Sequence, residues 1–163
     1  MNRHLTDKAL QDLNRNVIQC LNDTFGMMFN IGIDLLPSDS LMDADTAVNA
    51  YMDLVNEEAK AFLMINISKT AVQEICADIH TPEEIAKAEV LQDTVCEITN
   101  IIGNHLRTYM CDDIGIDIHL SLPKNGLPTA PTLSPPLINM IFEIKKNGKL
   151  RLQFCYALAT EKH

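Results

Sequence analysis

The stretch from Leu91 to Tyr109 carries the clearest helical period in the chain. At about 100° per residue, its large apolar residues fall on one side of a helix, and they are Leu91, Val95, Ile98, Ile102 and Tyr109. Four polar residues share an arc of roughly 60° on the other side, namely Asp93, Glu97, Asn100 and Asn104. A helix of this kind packs its apolar side on a core, so the polar row is predicted to point outward.

Length and charge narrow the class of protein. The chain has 163 residues, and we expect one domain over 1–163 with its own core. The net charge is −9, and the 13 lysines and arginines form no dense block. A nucleic-acid partner is not expected, because too few neighbouring cations are present to displace counterions from a phosphate backbone. No stretch approaches about 18 uninterrupted apolar residues, which favours a cytoplasmic protein without a membrane segment.

The potential metal ligands lack the spacing of a metal site. The five cysteines are widely separated and are expected to be buried reduced thiols; they are Cys20, Cys76, Cys96, Cys111 and Cys155. His80, His105 and His119 show no mutual ligand spacing, and His105 is predicted to lie in the core because it is on the apolar side of its helix. We therefore expect neither a metal nor another cofactor on this chain.

The first part of the chain predicts a helix and a short strand. Thr6 is a suitable N-cap, and apolar residues follow at intervals of three and four until Gly26 permits the helix to end. Residues 30–35 alternate apolar with smaller or polar residues, which indicates a strand that ends at Pro37. An acidic loop is expected over residues 38–45.

Two β-rich runs and two helices are predicted next. Residues 47–55 and 61–68 form an antiparallel hairpin in this interpretation, and the second run is apolar enough to be buried on both faces. A helical period follows and ends near His80. Thr81, followed by proline and two glutamates, predicts the start of the long helix that runs to about Tyr109.

The last third of the chain returns to strand patterns. Residues 116–122 alternate as a strand with one wet face, which Pro123 closes. A proline-rich connector, 124–137, follows. Residues 138–144 and 150–158 then form a hairpin, in which Asn147 and Gly148 are expected to supply positive φ angles.

The order of these elements predicts an α+β fold. A largely antiparallel sheet would carry the long N-terminal helix and the long central helix packed on it. Such a sheet leaves one face or edge to be covered, and apolar strands are unfavourable in water. We therefore expect a homodimer joined through the sheet.

The polar residues of the central helix also resemble a known sequence signature. Asp93, Glu97 and Asn100 spell DxxxExxN, and 22 residues separate Asn100 from Pro123. This pattern resembles the signature of the CheC, CheX and FliY chemotaxis phosphatases, and the chain is similar to the CheX branch in particular. CheC-type members usually carry the signature twice, whereas the first helix here offers no ExxN. The family glycine four residues after the motif asparagine is displaced, because Asn104 stands there and Gly103 precedes it.

The resemblance implies hydrolysis of the phospho-aspartate on a CheY-type receiver domain. Asn100 would orient the attacking water, and Glu97 would pair with a lysine of the receiver. The Mg²⁺ ion is expected on the receiver domain and not on this chain. Asp93 would make a rim contact or set the position of Glu97. Pro123 would shape the edge of the site without taking part in the chemistry, and Asn104 is expected to be a surface residue.

Other interpretations of the polar row remain open. Polar residues opposite an apolar side are typical of any solvated helix face. The chain could also be a non-catalytic module that binds a receiver domain or a flagellar-switch component, or an unrelated dimeric scaffold. The intact pair of Glu97 and Asn100 favours the enzyme over the pure binding module, which has no chemical need of both groups.

Overall fold

The computed structural model of this chain describes residues 6–43, 46–56, 59–128, 136–144 and 148–158. The helices, in chain order, are α1 (Asp7–Phe29), α2 (Lys69–Cys76), α3 (Pro82–Ile85) and α4 (Ala88–Tyr109), and α4 continues into a π-helical turn over Met110–Ile114. The strands are β1 (Ile33–Leu35), β2 (Ala47–Val55), β3 (Ala59–Ser68), β4 (His119–Leu120), β5 (Lys124–Asn125), β6 (Ile138–Ile144) and β7 (Gly148–Leu158).

The seven strands form one sheet in the order β1-β6-β7-β3-β2-β4, and β5 also pairs with β2. Every pairing is antiparallel. The two long hairpins, β2–β3 and β6–β7, are joined where β3 pairs with β7 across the middle of the sheet. The predicted α+β fold, with its largely antiparallel sheet and two long helices, is confirmed.

The core lies between one face of the sheet and the helices. Leu63, Ile65 and Ile67 of β3 are fully buried on this face. Helix α4 packs across β2 and β3, and α1 packs against α4. The long helix that carries the polar row is therefore fixed directly on β2 and β3.

Within the single chain, the predicted burial of β3 on both faces is met on one face only. Phe62 and Met64, which alternate with the core residues, are only half-buried. They lie on the face of the sheet opposite the helices. Their partners across the strands, Asp53 on β2 and Gln153 on β7, are also half-buried and are polar.

Helix α1 begins where the sequence predicts and ends later. The Thr6 hydroxyl accepts a hydrogen bond from the backbone N–H of Ala9 at 3.1 Å. Gly26 does not end the helix, which continues to Phe29, whose ring lies 5.6 Å from that of Phe25. Asn30 ends it instead, because it adopts a left-handed conformation with φ of 51° and its N–H caps the carbonyl of Phe25.

The predicted helix start at Thr81 belongs to a shorter helix. Thr81 and Glu84 form a reciprocal capping box, yet α3 ends at Ile85. The backbone of Lys87 is extended, with φ of −82° and ψ of 127°, and this interrupts the helix. Helix α4 begins at Ala88 and ends at Tyr109, so the expected end is correct and the expected start is wrong.

The predicted strand over residues 116–122 is reduced to two paired residues, His119 and Leu120. The alternation is present only in its first part, since Ile116 and Ile118 are buried and His119 is exposed, whereas Leu122 is exposed. Beyond Leu120 a side chain takes part in the contact with β2: the Ser121 hydroxyl accepts from the N–H of Asp53 at 2.9 Å, while the Ser121 N–H donates to the Asp53 carbonyl at 2.9 Å.

The glycine of the last hairpin has a different role from the one expected. Asn147 lies outside the described residues, and Gly148 is not among the residues with positive φ. A Cβ on Gly148 would lie 2.5 Å from the carbonyl oxygen of Ile144 and 2.7 Å from the Cβ of Ala71. Glycine is required here because helix α2 and strand β6 both approach its backbone closely.

Two expectations about isolated side chains need correction. All five cysteines are free, but only Cys20 and Cys76 are buried, and the other three are half-exposed. Burial raises the pKa of Cys20 to about 11. His105 is exposed, because it lies at the margin of the buried side of α4 rather than within it.

Candidate functional site

Helix α4 presents the four predicted polar residues to the outside. Asp93, Glu97 and Asn104 are exposed, and Asn100 is half-buried between them. The opposite side of the helix is sealed against the sheet, where its buried residues include Leu91, Val95, Ile98 and Ile102. We call these four polar residues, Asp93, Glu97, Asn100 and Asn104, the polar stripe.

A glycine brings the polar stripe close to the sheet. Gly103 is buried, and a Cβ placed on it would lie 2.0 Å from the Sδ atom of Met52 and 3.1 Å from its Cε atom. Met52 belongs to β2 and is itself fully buried. The absence of a side chain at Gly103 therefore lets α4 lie directly on the thioether of Met52, and this contact sets the height of the helix above the sheet.

The carboxamide of Asn100 is hydrogen-bonded within the polar stripe. The Nδ2 atom of Asn104 donates to the backbone carbonyl of Asn100 at 2.8 Å and to its Oδ1 atom at 3.1 Å. Asn104 was expected to be only a surface residue, and it is exposed, but it also contacts the motif asparagine. The spacing of four residues on a helix is the sequence signal for such a contact.

The segment that follows Pro123 lies beside α4. Asn125 of β5 accepts a hydrogen bond from the Sγ atom of Cys96 at 2.9 Å, and its Nδ2 atom lies 3.5 Å from the Oε1 atom of Gln92. Pro123, two residues before Asn125, is half-buried. The structure thus brings the proline segment and the motif helix together, on one flank of the polar stripe.

The contact between Cys96 and Asn125 was not predicted. The two residues are 29 positions apart and belong to different elements, so no local pattern in the sequence indicates it. Partial burial, with a smaller contribution from the nearby Asp93 carboxylate, raises the pKa of the Cys96 thiol. The thiol accordingly stays protonated and acts as a donor to the Asn125 carbonyl.

The side chain of Lys124, which lies next to Asn125 on β5, is held by the carboxylate of Asp53 on β2. The Nζ atom of Lys124 lies 2.6 Å from the Oδ2 atom of Asp53 and 5.5 Å from the centre of the Tyr51 ring. The hydrogen bond to Asp53, followed by the attraction of its charge, raises the pKa of Lys124. Lys124 therefore stays charged and fixes β5 to β2.

The polar stripe supplies two carboxylates and two carboxamides on the side of α4 that faces away from the sheet. Across the described ranges, no group of three or more His, Cys, Asp or Glu side chains is arranged to hold a metal ion. In that same part of the chain, no helix is long and apolar enough to cross a membrane. The chemistry that the polar stripe offers is positioning by hydrogen bonds and charge.

Comparisons with known proteins agree on one family. A family model described as "Chemotaxis phosphatase CheX" matches residues 48–142, which is more than half of the chain and includes α4, β4 and β5. A CheX chemotaxis protein from Vibrio vulnificus has a TM-score of 0.71 and 16% identity, with 91% of this chain and 99% of that chain covered. No curated protein sequence matches this chain.

Two further solved structures share the fold. A chain of the CheX-CheY-BeF3-Mg+2 complex from Borrelia burgdorferi has a TM-score of 0.67 and 12% identity, with 89% of this chain and 97% of that chain covered. FliY from Thermotoga maritima has a TM-score of 0.56 and 16% identity, with 94% of this chain and 92% of that chain covered. At these identities the likenesses establish the fold alone.

Proposed function

The chain belongs to the CheX family of chemotaxis phosphatases, and from this membership we propose that it hydrolyses the phospho-aspartate of a CheY-type receiver domain. The observation that carries the proposal is the outward position of Glu97 and Asn100 on α4, three residues apart on one helix face. A CheX in complex with CheY, from Borrelia burgdorferi, has the same fold as this chain. That complex supports a CheY-type partner.

The proposed reaction needs little from the phosphatase except geometry. A water oxygen attacks phosphorus, the bond between phosphorus and the aspartate oxygen breaks, and the products are the free carboxylate and inorganic phosphate. Phosphoryl transfer is accelerated mainly by positioning and by electrostatic stabilisation. The receiver is expected to bring the Mg²⁺ ion and the lysine that neutralise the phosphoryl oxygens, so this chain has to align the water.

Asn100 is suited to align the water. A carboxamide can accept a hydrogen bond from the attacking water and donate one to a phosphoryl oxygen. It is also neutral, whereas a carboxylate at this place would be repelled by the phosphoryl group. Half-burial on a rigid helix restricts its rotamers, which lowers the entropy lost when the water is aligned.

The other residues of the site serve docking in this proposal. Glu97, one turn before Asn100, pairs with the lysine of the receiver and sets the docking angle. Asp93, one turn earlier still, makes a rim contact. Pro123 shapes the flank of the site, because the segment after it is joined to α4 through Asn125 and Cys96.

A phosphate-decay assay tests the proposed function. CheY-type receivers of the host would each be labelled from a small-molecule phosphodonor, and the loss of label followed with and without the wild-type chain. We expect faster loss from at least one receiver. Unchanged decay for every receiver, together with tight binding to one of them, would instead identify a binding module without turnover.

Reversal of the charge at Glu97 is expected to weaken docking. In Glu97→Lys two like charges would face each other at the receiver's lysine, and we expect the affinity for the phosphorylated receiver to fall by about tenfold or more. The measurement is a binding titration, by fluorescence or calorimetry, at constant ionic strength.

The matched control for this prediction is Glu74→Lys. Glu74 is an exposed glutamate of α2, outside the polar stripe, so the same change in net charge is made away from the site. Its affinity is expected to stay within about twofold of wild type, since an exposed charge outside an interface contributes little. Equal losses in both variants would show that net charge alone is responsible and would refute the docking role of Glu97.

We also propose that the protein is a homodimer joined through the sheet. The support is the outer face of the sheet, where the apolar side chains Phe62 and Met64 are only half-buried in the single chain. Light scattering is expected to give twice the mass of one chain, and Met64→Glu is expected to lower it towards one. A mass of one chain for the wild-type protein at micromolar concentration would exclude the dimer.

A further inference from the structure

Asn104 is exposed in the middle of α4, where asparagine is an unfavourable residue for helix formation. Asparagine is a poor helix former, and here it directly follows Gly103, another poor one. The glycine is explained by its contact with Met52. The side chain of Asn104 is exposed, so burial in the core does not account for it.

The side chain of Asn104 makes two hydrogen bonds to the motif asparagine, Asn100. Its Nδ2 atom carries two hydrogens, and these suffice for the bond to the Asn100 backbone carbonyl at 2.8 Å and the bond to Asn100 Oδ1 at 3.1 Å. The first bond anchors the nitrogen on the helix backbone. The second then reaches the Asn100 carboxamide from a fixed point, and among the described residues it is the one hydrogen bond that this carboxamide makes.

This contact decides which way the Asn100 carboxamide faces. A terminal amide rotates between two nearly equivalent orientations that exchange its oxygen and its nitrogen. A donor at Asn104 selects the orientation with Oδ1 towards the carboxyl-terminal side of α4, and Nδ2 then lies on the other side of Cγ. One lone pair of Oδ1 remains for the attacking water, and both hydrogens of Nδ2 remain for a phosphoryl oxygen.

We propose that Asn104 is a positioning residue that holds the Asn100 carboxamide in its productive orientation. The inference rests on the proposed phosphatase function and adds a residue to it. Asn104 itself touches neither the water nor the phosphoryl group in this arrangement. Its loss is therefore expected to slow the chemical step without changing the affinity for the receiver.

Two variants distinguish the effect of the Asn104 hydrogen-bond donor from the effect of the rest of its side chain. Asn104→Ala removes the contact and leaves the Asn100 amide free to rotate, while alanine preserves the helix. Asn104→Asp keeps the size and shape but replaces the donor by an acceptor, which favours the reversed orientation of the Asn100 amide. We expect the maximal decay rate constant to fall about threefold to tenfold in Asn104→Ala, the factor that one net hydrogen bond supplies, and further in Asn104→Asp.

The matched control is Asn22 on α1. Asn22 is also exposed and also donates to a carbonyl four residues back, that of Ile18 at 2.9 Å, but Ile18 has no polar side chain to orient. Asn22→Ala and Asn22→Asp therefore repeat the same chemical changes without an amide partner. Both are expected to keep the wild-type rate constant.

The assay uses the full chain in excess over the phosphorylated receiver that responds to wild type. The decay rate constant at saturating chain concentration reports the chemical step. The chain concentration that gives half of this value reports the affinity. Wild-type rate constants at saturation in both Asn104 variants would overturn the positioning role while leaving the phosphatase function in place. A weaker affinity with an unchanged rate constant at saturation would make Asn104 a docking contact and also overturn it. If wild type accelerates no receiver, the proposed function and this inference both fail.

Discussion

Replacement of Asn100 by alanine is expected to slow stimulated phosphate release from the receiver by about 100-fold or to the spontaneous rate, since a poorly placed reacting group costs a factor of this size. Binding is expected to change little, because the neighbouring carboxylate of Glu97 remains in place on α4. The measurements are the decay rate of the phosphorylated receiver at saturating chain and the affinity of the complex in a separate titration.

Helix α1 supplies a matched control for this variant. Asn16 is half-buried like Asn100, and its side chain donates to the carbonyl of Asp12 at 2.9 Å, but Leu13 stands where the motif would place glutamate. Asn16→Ala is expected to retain wild-type activity. A comparable loss in both variants would point to a general effect on the fold, and full activity in Asn100→Ala would refute its role in aligning the water.

Replacement of Gly103 by alanine is expected to lower the stability of the protein through a clash with the side chain of Met52. The new methyl carbon would lie 2.0 Å from Met52 Sδ, in a place where both residues are buried. Overpacking of this kind raises the free energy of the native state by about 1–3 kcal/mol. The better helix propensity of alanine offsets about 1 kcal/mol at most. Chemical denaturation gives the change in the free energy of unfolding.

Gly26→Ala is the control that isolates the clash. Gly26 also lies inside a long helix, but a Cβ there would meet nothing within 4 Å. The same substitution is therefore expected to leave stability unchanged or raise it by up to about 1 kcal/mol. In a Met52→Ala background, Gly103→Ala should cost less stability than it does in the wild-type chain, because the space left by the thioether accepts the new methyl group. Equal stability of the two glycine variants would contradict the contact.

Displacement of α4 also has a consequence for activity. The polar stripe lies on the same helix as Gly103, so a methyl group that lifts the helix from β2 also shifts Asn100 relative to the flank formed by β5. We therefore expect reduced phosphatase activity in Gly103→Ala even at temperatures where it is fully folded. The position of Gly103 determines which side of α4 can approach Met52 this closely.

Local patterns in the sequence predicted most of the elements and the direction of the polar stripe, although β5 lies in the segment expected to be a connector. The period of three and four residues in α4 placed Asn100 and Glu97 opposite the buried side, and β-rich runs together with turn residues located β2, β3, β6 and β7. These predictions succeed because each depends on neighbours within one or two turns or along one strand. The helix start at Thr81 was identified for the same reason, although the helix that begins there ends after four residues.

The predictions that failed depend on contacts between distant parts of the chain. Gly26 could have ended α1, but Asn30 provides the left-handed residue. Residues 116–122 have a strand pattern, yet only His119 and Leu120 pair with β2. The outer face of β3 is half-exposed since the helices pack on the other side. In each case the local pattern allowed several outcomes, and packing selected one.

The sequence by itself determined that a glutamate and an asparagine lie together on the outer side of a long helix, because helical geometry fixes the spacing of residues three and four apart. Only the tertiary structure decided how close that helix lies to the sheet and what lies beside it. The contact of Gly103 with Met52 and the bond between Cys96 and Asn125 join elements far apart in the chain. Such contacts depend on shape complementarity summed over the whole core, which no local pattern encodes.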